Sequence, residues 1–202
     1  MGVQERKARE KQELREEILD AARELFVEQG YEAVSMRRIA ARIEYSPTTI
    51  YLYFKDKAEL FDCLCSETFQ KLIVELERIP KGDPVEGLKA GLRRYIEFGT
   101  AHPAHYRVTF MTPMMKGACP GGGQKPGGTG ERAFACLKDS VSACVSAGRF
   151  RVINLEVVSQ AIWAAIHGVT SLLITHGEFP WMDREALIET VIENIIGGLE
   201  QR

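Results

Sequence analysis

Several common marks of function are missing from this chain. Its five cysteines, at 63, 65, 119, 136 and 144, are odd in number and include no C-x-x-C pair. That spacing argues against a disulfide framework and against a zinc site, and the thiols are expected to act as small buried hydrophobes. No G-x-S-x-G elbow and no Gly-Lys-Ser/Thr phosphate loop occurs, so neither a serine hydrolase nor a nucleotide cradle is indicated. No apolar run is expected to approach the ~18–20 residues that span a bilayer. The opening stretch MGVQERKAREKQELREE is charged and lacks the apolar centre of a secretory signal. Gly2 resembles a myristoylation start, but Arg6 stands where Ser or Thr is needed. A cytoplasmic location with no membrane partner is therefore expected. An excess of one charge is also missing. The net charge is −2, and residues 1–57 hold eleven Lys+Arg against eleven Asp+Glu. Any case for nucleic-acid binding has to rest on where the charges sit.

Amphipathic helix is what the sequence does contain. Leu14, Ile18, Ala22 and Leu25/Phe26 recur at helical spacing, and Gly30 is placed to end that helix in a left-handed cap. Ser35 can cap a second short helix whose buried stripe is Ile39, Ala40 and Ile43. Ser46, followed by Pro47 at the first helical position, can cap a third. Asp56 with Glu59 has the form of a capping box and opens a long fourth helix to about Arg78. Helices are expected again at 85–101, from 102 to 110 behind Pro103, and at 129–147, 155–176 and 184–199. The glycine- and proline-dominated stretch 117–130 reads as a flexible loop. No strand-like alternation occurs, so the expected class is all-α with about nine helices. Two domains are expected, 1–58 and 59–202.

Three short helices, the last two joined by a turn of about four residues, form a helix-turn-helix candidate. On the third, Ile50 and Phe54 are four apart and are expected to anchor it. Thr48, Thr49, Leu52 and Tyr53 then point outward, with Tyr51 toward the flank. Their hydroxyls suit phosphates and base edges. The positive ends of helices two and four, flanked by Arg37, Arg38, Lys55 and Lys57, add expected anion-binding groups.

These residues also carry a family resemblance. The stretch YEAVSMRRIAARIEYSPTTIYLYFKDKAELF resembles the N-terminal domain of TetR-type transcriptional regulators. The matching positions are Gly30-Tyr31, Ser35, Ile39-Ala40, Ser46, Thr49, Ile50, Tyr51, Tyr53, Phe54, Lys57 and Leu60. The resemblance implies that Thr48, Thr49, Tyr51 and Leu52 meet bases or sugar edges. It implies phosphate contacts from Ser35, Tyr53 and Lys57, with Ser46 as cap and Arg37, Arg38 and the arm Arg6–Lys11 as further contributors. Two departures stand out. Glu44 occupies a turn position usually held by glycine, where a left-handed residue costs roughly 1 kcal/mol, and Leu52 replaces a side chain that is polar in many members.

The second half resembles the WHG-type C-terminal domain, through H-P-x-x-Y-R-x-x-F at 102–110 and through Trp163, His167 and Gly168. The implied effector cavity is lined by Tyr95, Phe98, Tyr106, Phe110, Met111, Met114, Phe134, Trp163 and His167. Such a wall favours a mostly apolar, aromatic or acyl-type ligand. The apolar helices at 155–176 and 184–199 are the expected homodimer interface. The expected function is a repressor that leaves a palindromic DNA operator when the effector binds, with the fourth helix as the link. No cofactor, no metal and no catalytic residue is expected. Two other readings stay open, a DNA-binding architectural protein without ligand and a small cysteine or histidine hydrolase.

Overall fold

The computed structural model describes residues 2–80, 82–112, 127–151 and 154–200. Among these, nine α-helices run in the order α1 (Val3–Gln29), α2 (Met36–Arg42), α3 (Pro47–Tyr51), α4 (Lys57–Glu77), α5 (Pro84–Ala101), α6 (Pro103–Tyr106), α7 (Thr129–Ser146), α8 (Leu155–Thr175) and α9 (Arg184–Gly197). Directly after α6 the chain continues into one π-helical turn, Arg107–Met111. The described residues contain no strand, only an isolated bridge between Phe150 and Glu200. The all-α expectation therefore holds. The chain forms two compact units, Met1–Thr68 with Ala104–Lys125, and Phe69–Pro103 with Pro126–Arg202. Helix α4 contributes its first half to one and its second half to the other.

In the first unit the predicted stripe of α1 is buried at Ile18, Ala22, Leu25 and Phe26, together with Ile39 and Ala40 of α2 and Ile50 of α3. Full burial of each large apolar side chain contributes roughly 1.5–3 kcal/mol. Phe61 packs edge to face on both Phe26 and Tyr31, which are tilted against each other, with centroids 4.9–5.6 Å apart. The π-helical turn packs against α1. Charge enters this core once, at Arg23, which pairs with Asp20 on its own helix and with Glu67 of α4 at 3.7 Å. Arg15 reaches the same Glu67 at 3.2 Å.

The second unit is built around α5, which packs against α7, α8 and α9. Its buried residues, Val85, Leu88, Leu92, Tyr95 and Ile96, follow helical spacing. Helix α9 presents Ile188, Ile192 and Ile196, four residues apart. Buried hydroxyls on α8 are satisfied within the helix, Ser159 donating to the Leu155 carbonyl at 2.8 Å and Thr170 to that of Ile166 at 2.6 Å.

Local readings need correction at five places. The arm around Arg6–Lys11 is not a separate segment but the opening of α1, laced by Arg6–Glu10 and Arg9–Glu13 ion pairs at 3.4 and 3.5 Å. Gly30 does have positive φ (78°), but its ψ of 157° lies outside the left-handed helical region. Asp56 accepts from the Glu59 N–H at 2.9 Å as a capping box requires, whereas the Glu59 carboxylate reaches back to the Lys55 N–H at 2.5 Å. Residues 129 and 130 belong to the first turn of α7 rather than to a loop, and Gly130 is buried there; residues 113–126, with Cys119, lie outside the described residues. Lastly, α8 is long and apolar enough by composition to cross a membrane, although Glu156, Gln160 and His167 interrupt the run. Only about a third of its most apolar part is buried within the chain.

Candidate functional site

The turn between α2 and α3 is a Schellman motif. Tyr45 N–H donates to the Ala40 carbonyl at 2.9 Å and Glu44 N–H to that of Ala41 at 3.4 Å. Glu44 takes the left-handed position with φ 58°, the one positive-φ residue other than glycine among those described. The departure read from the sequence thus falls at the position where glycine carries no penalty. Ser46 caps α3 by accepting from the Thr49 N–H at 3.2 Å, and its hydroxyl also shares a 2.9 Å hydrogen bond with that of Thr49.

Ile50 anchors α3 at 0% exposure; Phe54, at 2%, lies past the end of that helix rather than on it as expected, and donates its N–H to the Ile50 carbonyl at 3.1 Å. That leaves Thr48 in solvent, with Tyr51 53% and Leu52 76% exposed, while Thr49 and Tyr53 are half-buried. Exposed Tyr45 lies at the entrance to the helix. Ser35 caps α2 through the Arg38 N–H at 3.3 Å, and the Arg38 guanidinium donates to the Ala33 carbonyl at 2.8 Å. Arg37 is exposed and makes no hydrogen bond or ion pair among the described residues. Lys57 is arranged differently. Its ammonium donates to the carbonyls of Tyr31 (2.8 Å) and Val34 (3.0 Å) and sits over the Tyr31 ring, 4.1 Å from the centroid.

Of the residues expected around an effector, four come together in the second unit. Trp163 Nε1 donates to the Tyr95 hydroxyl at 3.2 Å, and the Trp163 ring lies 6.2 Å from Phe134 and 6.1 Å from His167. Trp163 remains 41% exposed. Burial holds the His167 imidazole below its ordinary pKa, which keeps it neutral near pH 7. Phe98 is buried on α5 and packs against His102 at 5.1 Å. Tyr106, Phe110 and Met111 belong to the first unit, where Tyr106 and Phe110 stack at 4.7 Å. Met114 lies outside the described residues. Sequence reasoning passed over Thr109 and Thr129, each of which buries a hydroxyl oxygen with no hydrogen-bond partner among the described residues. Neither carries a motif that would have marked it.

The described cysteines form no disulfide, and burial raises the pKa of Cys63, Cys136 and Cys144, which makes those three poor nucleophiles. Among the described residues no group of three His, Cys, Asp or Glu is placed to hold a metal.

Two family models match this chain. Residues 18–64 match bacterial regulatory proteins of the tetR family, and residues 88–195, more than half of the chain, match the tetracyclin repressor-like C-terminal domain. The chain belongs to the TetR family. Among its TetR-type relatives is the HTH-type transcriptional repressor KstR of Rhodococcus jostii (strain RHA1), 30% identical over 89 residues, 44% of this chain and 42% of that one. The chain thus spans less than half the length of that curated relative. A second, the HTH-type transcriptional activator FasR of Mycolicibacterium smegmatis, is 28% identical over 197 residues, 93% of this chain and 83% of that one. The solved structure of the fatty acid degradation regulator FadR from Bacillus halodurans has the same fold, with a TM-score of 0.75, 20% identity and coverage of 93% and 97%. These TetR relatives are transcription regulators, which disfavours the hydrolase and architectural readings. The C-terminal match establishes the broad domain type and does not extend to the WHG subtype.

Proposed function

We propose that the chain is a cytoplasmic, sequence-specific DNA-binding regulator, with residues 1–58 as the reading head and 59–202 as the effector and dimer domain. The observation that carries this is the division of residues 47–54, α3 and the turn that follows it, into a buried anchor, Ile50 and Phe54, and a solvent face of Thr48, Tyr51 and Leu52. A five-residue helix that only closed a local core would have no reason to leave Tyr and Leu in water. Thr48, Thr49, Tyr51 and Leu52 meet base edges and sugars. Ser35, Arg37, Arg38 and Tyr53 face phosphates, while Ser46 holds the helix end. Lys57 is left out of the phosphate set, because two of its three N–H groups are committed inside the protein.

The effector is small and mostly apolar, bound at Tyr95, Phe134, Trp163 and His167. Phe98, on the same helix as Tyr95, stays with this set as a further wall residue; Tyr106, Phe110 and Met111 belong to the other unit and Met114 lies outside the described residues, so they are left out. An aromatic wall with one neutral imidazole suits an acyl chain or an aromatic ring better than a phosphate. The name of one structural neighbour, a fatty acid degradation regulator, is in keeping with that choice of class. Thr129 offers a hydroxyl for a polar end group. Two copies pair through α8 and α9 and read a palindromic operator, and the effector prefers the state whose heads are wrongly spaced. Repression is the proposed output.

The test is selection of bound sequences from a random DNA pool, repeated with Thr49→Ala and Tyr51→Ala. Both substitutions should weaken binding and relax the consensus; unchanged selection would sink the assignment of α3. Titrating the selected DNA with acyl and aromatic compounds then tests the effector class.

A further inference from the structure

We propose that Lys57 is a positioning residue that clamps the first turn of α4 to the loop between α1 and α2, and not a phosphate contact. Its ammonium is half-buried, donates to two backbone carbonyls 26 and 23 residues earlier, and is capped by the face of Tyr31. That ring is itself locked between Phe26 and Phe61, at 5.4 and 4.9 Å. The carbonyls sit where the chain needs fixing. Val34 immediately precedes Ser35, the N-cap of α2, and α2 packs on the reading helix α3. Besides Lys57, the irregular backbone at 31–34 is held by Val34 N–H on the Tyr31 carbonyl at 3.4 Å and by the Arg38 guanidinium on the Ala33 carbonyl at 2.8 Å. A charged donor spanning both ends of that segment defines its shape. It also ties the start of α2 to the start of α4, so that displacement of α4 carries the reading helices with it. Meeting a phosphate would require the ammonium to leave both carbonyls or to use its single remaining N–H. Arg37 shows the opposite arrangement, exposed and unengaged.

The clamp rests on the DNA-binding reading above, and the experiment separates the two. Affinity of the full chain for its selected DNA is measured against salt for the native protein, Lys57→Met, Lys57→Arg, Tyr31→Leu and Arg37→Met. Amide hydrogen exchange at residues 31–35 is followed in parallel. Removing a phosphate contact flattens the plot of log K against log salt by about 0.9 per charge. Arg37→Met should do this. Lys57→Met should weaken binding about tenfold, the scale of a lost charged hydrogen bond, with the slope unchanged and exchange at Val34 and Ser35 faster. Lys57→Arg, which keeps donors for both carbonyls, should recover affinity and protection. Tyr31→Leu should act like Lys57→Met but more weakly, and it carries the test if Lys57→Met does not fold. A Lys57→Met slope that flattens as with Arg37→Met overturns the proposal, and so does unchanged affinity and exchange. If the native chain selects no DNA, the functional reading fails while the exchange experiment still decides the clamp.

Discussion

Glu44 holds a left-handed backbone conformation that an L side chain adopts at a cost of about 1–2 kcal/mol. The Schellman hydrogen bonds around it show that the turn needs this conformation and would keep it with glycine. Glu44→Gly is therefore expected to stabilise the protein by about 1 kcal/mol, after the greater freedom of glycine in the unfolded chain offsets part of the gain. Chemical denaturation would show a higher midpoint with the same slope. His167 carries a second prediction at this scale. Its pKa is lowered in the folded state, so the unfolded chain takes up a proton first as pH falls. Stability should be complete above the ordinary histidine value of about 6.5 and decline as pH drops from there toward the lowered folded value. His167→Gln should flatten that part of the profile. Half-exposure keeps the effect small, so thermal unfolding is compared between pH 7 and pH 5 in both proteins. The strain at Glu44 was legible through the family resemblance, which puts glycine at that place in the turn. The state of Lys57 was not. Its partners are backbone carbonyls more than twenty residues away, and carbonyls leave no trace in residue identity.

Helix α3 is too short to be stable alone, and two side chains fix it to α1 and α2. Phe54→Ala should cost about 3–5 kcal/mol and Ile50→Ala about 2–5, enough to loosen the whole head. Tyr51→Ala, on the exposed face, should move stability by no more than about 0.5 kcal/mol while DNA affinity falls. Thermal unfolding of the three variants, set beside their DNA binding, separates anchor from reading face; a comparable loss of stability in Tyr51→Ala would mean that its ring is structural. The anchor was readable because a spacing of four on a capped helix leaves one choice of face. Long-range elements were less readable. The opening turns of α1 carry no apolar stripe, so nothing in residues 3–13 separates a solvated helix from a frayed arm. Arg23 lies at a core position among alanines and is buried only because Asp20 and Glu67 neutralise it. The π-helical turn after α6 depends on packing against α1, which no local pattern encodes.

For the whole molecule the main question is what covers α8. Ala161, Ala165, Gly168 and Leu172 fall on one face at spacings of four, three and four, and all but half-exposed Gly168 are exposed. A methyl group added at Gly168 would meet nothing within 4 Å among the described residues. Beside this face, α9 leaves Leu187, Val191 and Ile195 half-exposed, four residues apart. Small residues flanked by aliphatics let a second helix pair approach closely, which is what a homodimer through α8 and α9 requires. Leu172→Glu tests this without a folding artefact. The side chain is 45% exposed in the single chain, so within the monomer the change is nearly neutral, whereas in a dimer it buries an unpaired carboxylate. Sedimentation should show a native dimer and a variant shifted to monomer. DNA affinity should fall by roughly 10²–10⁴, because one head then binds without the effective concentration supplied by the other. Gly168→Ala gives an independent reading from the opposite direction, since a methyl group at that position meets no described atom of the single chain within 4 Å and crowds only a partner. If both variants remain dimeric and keep full affinity, the interface lies on another face, and the coupling between effector and head spacing must be rebuilt from there.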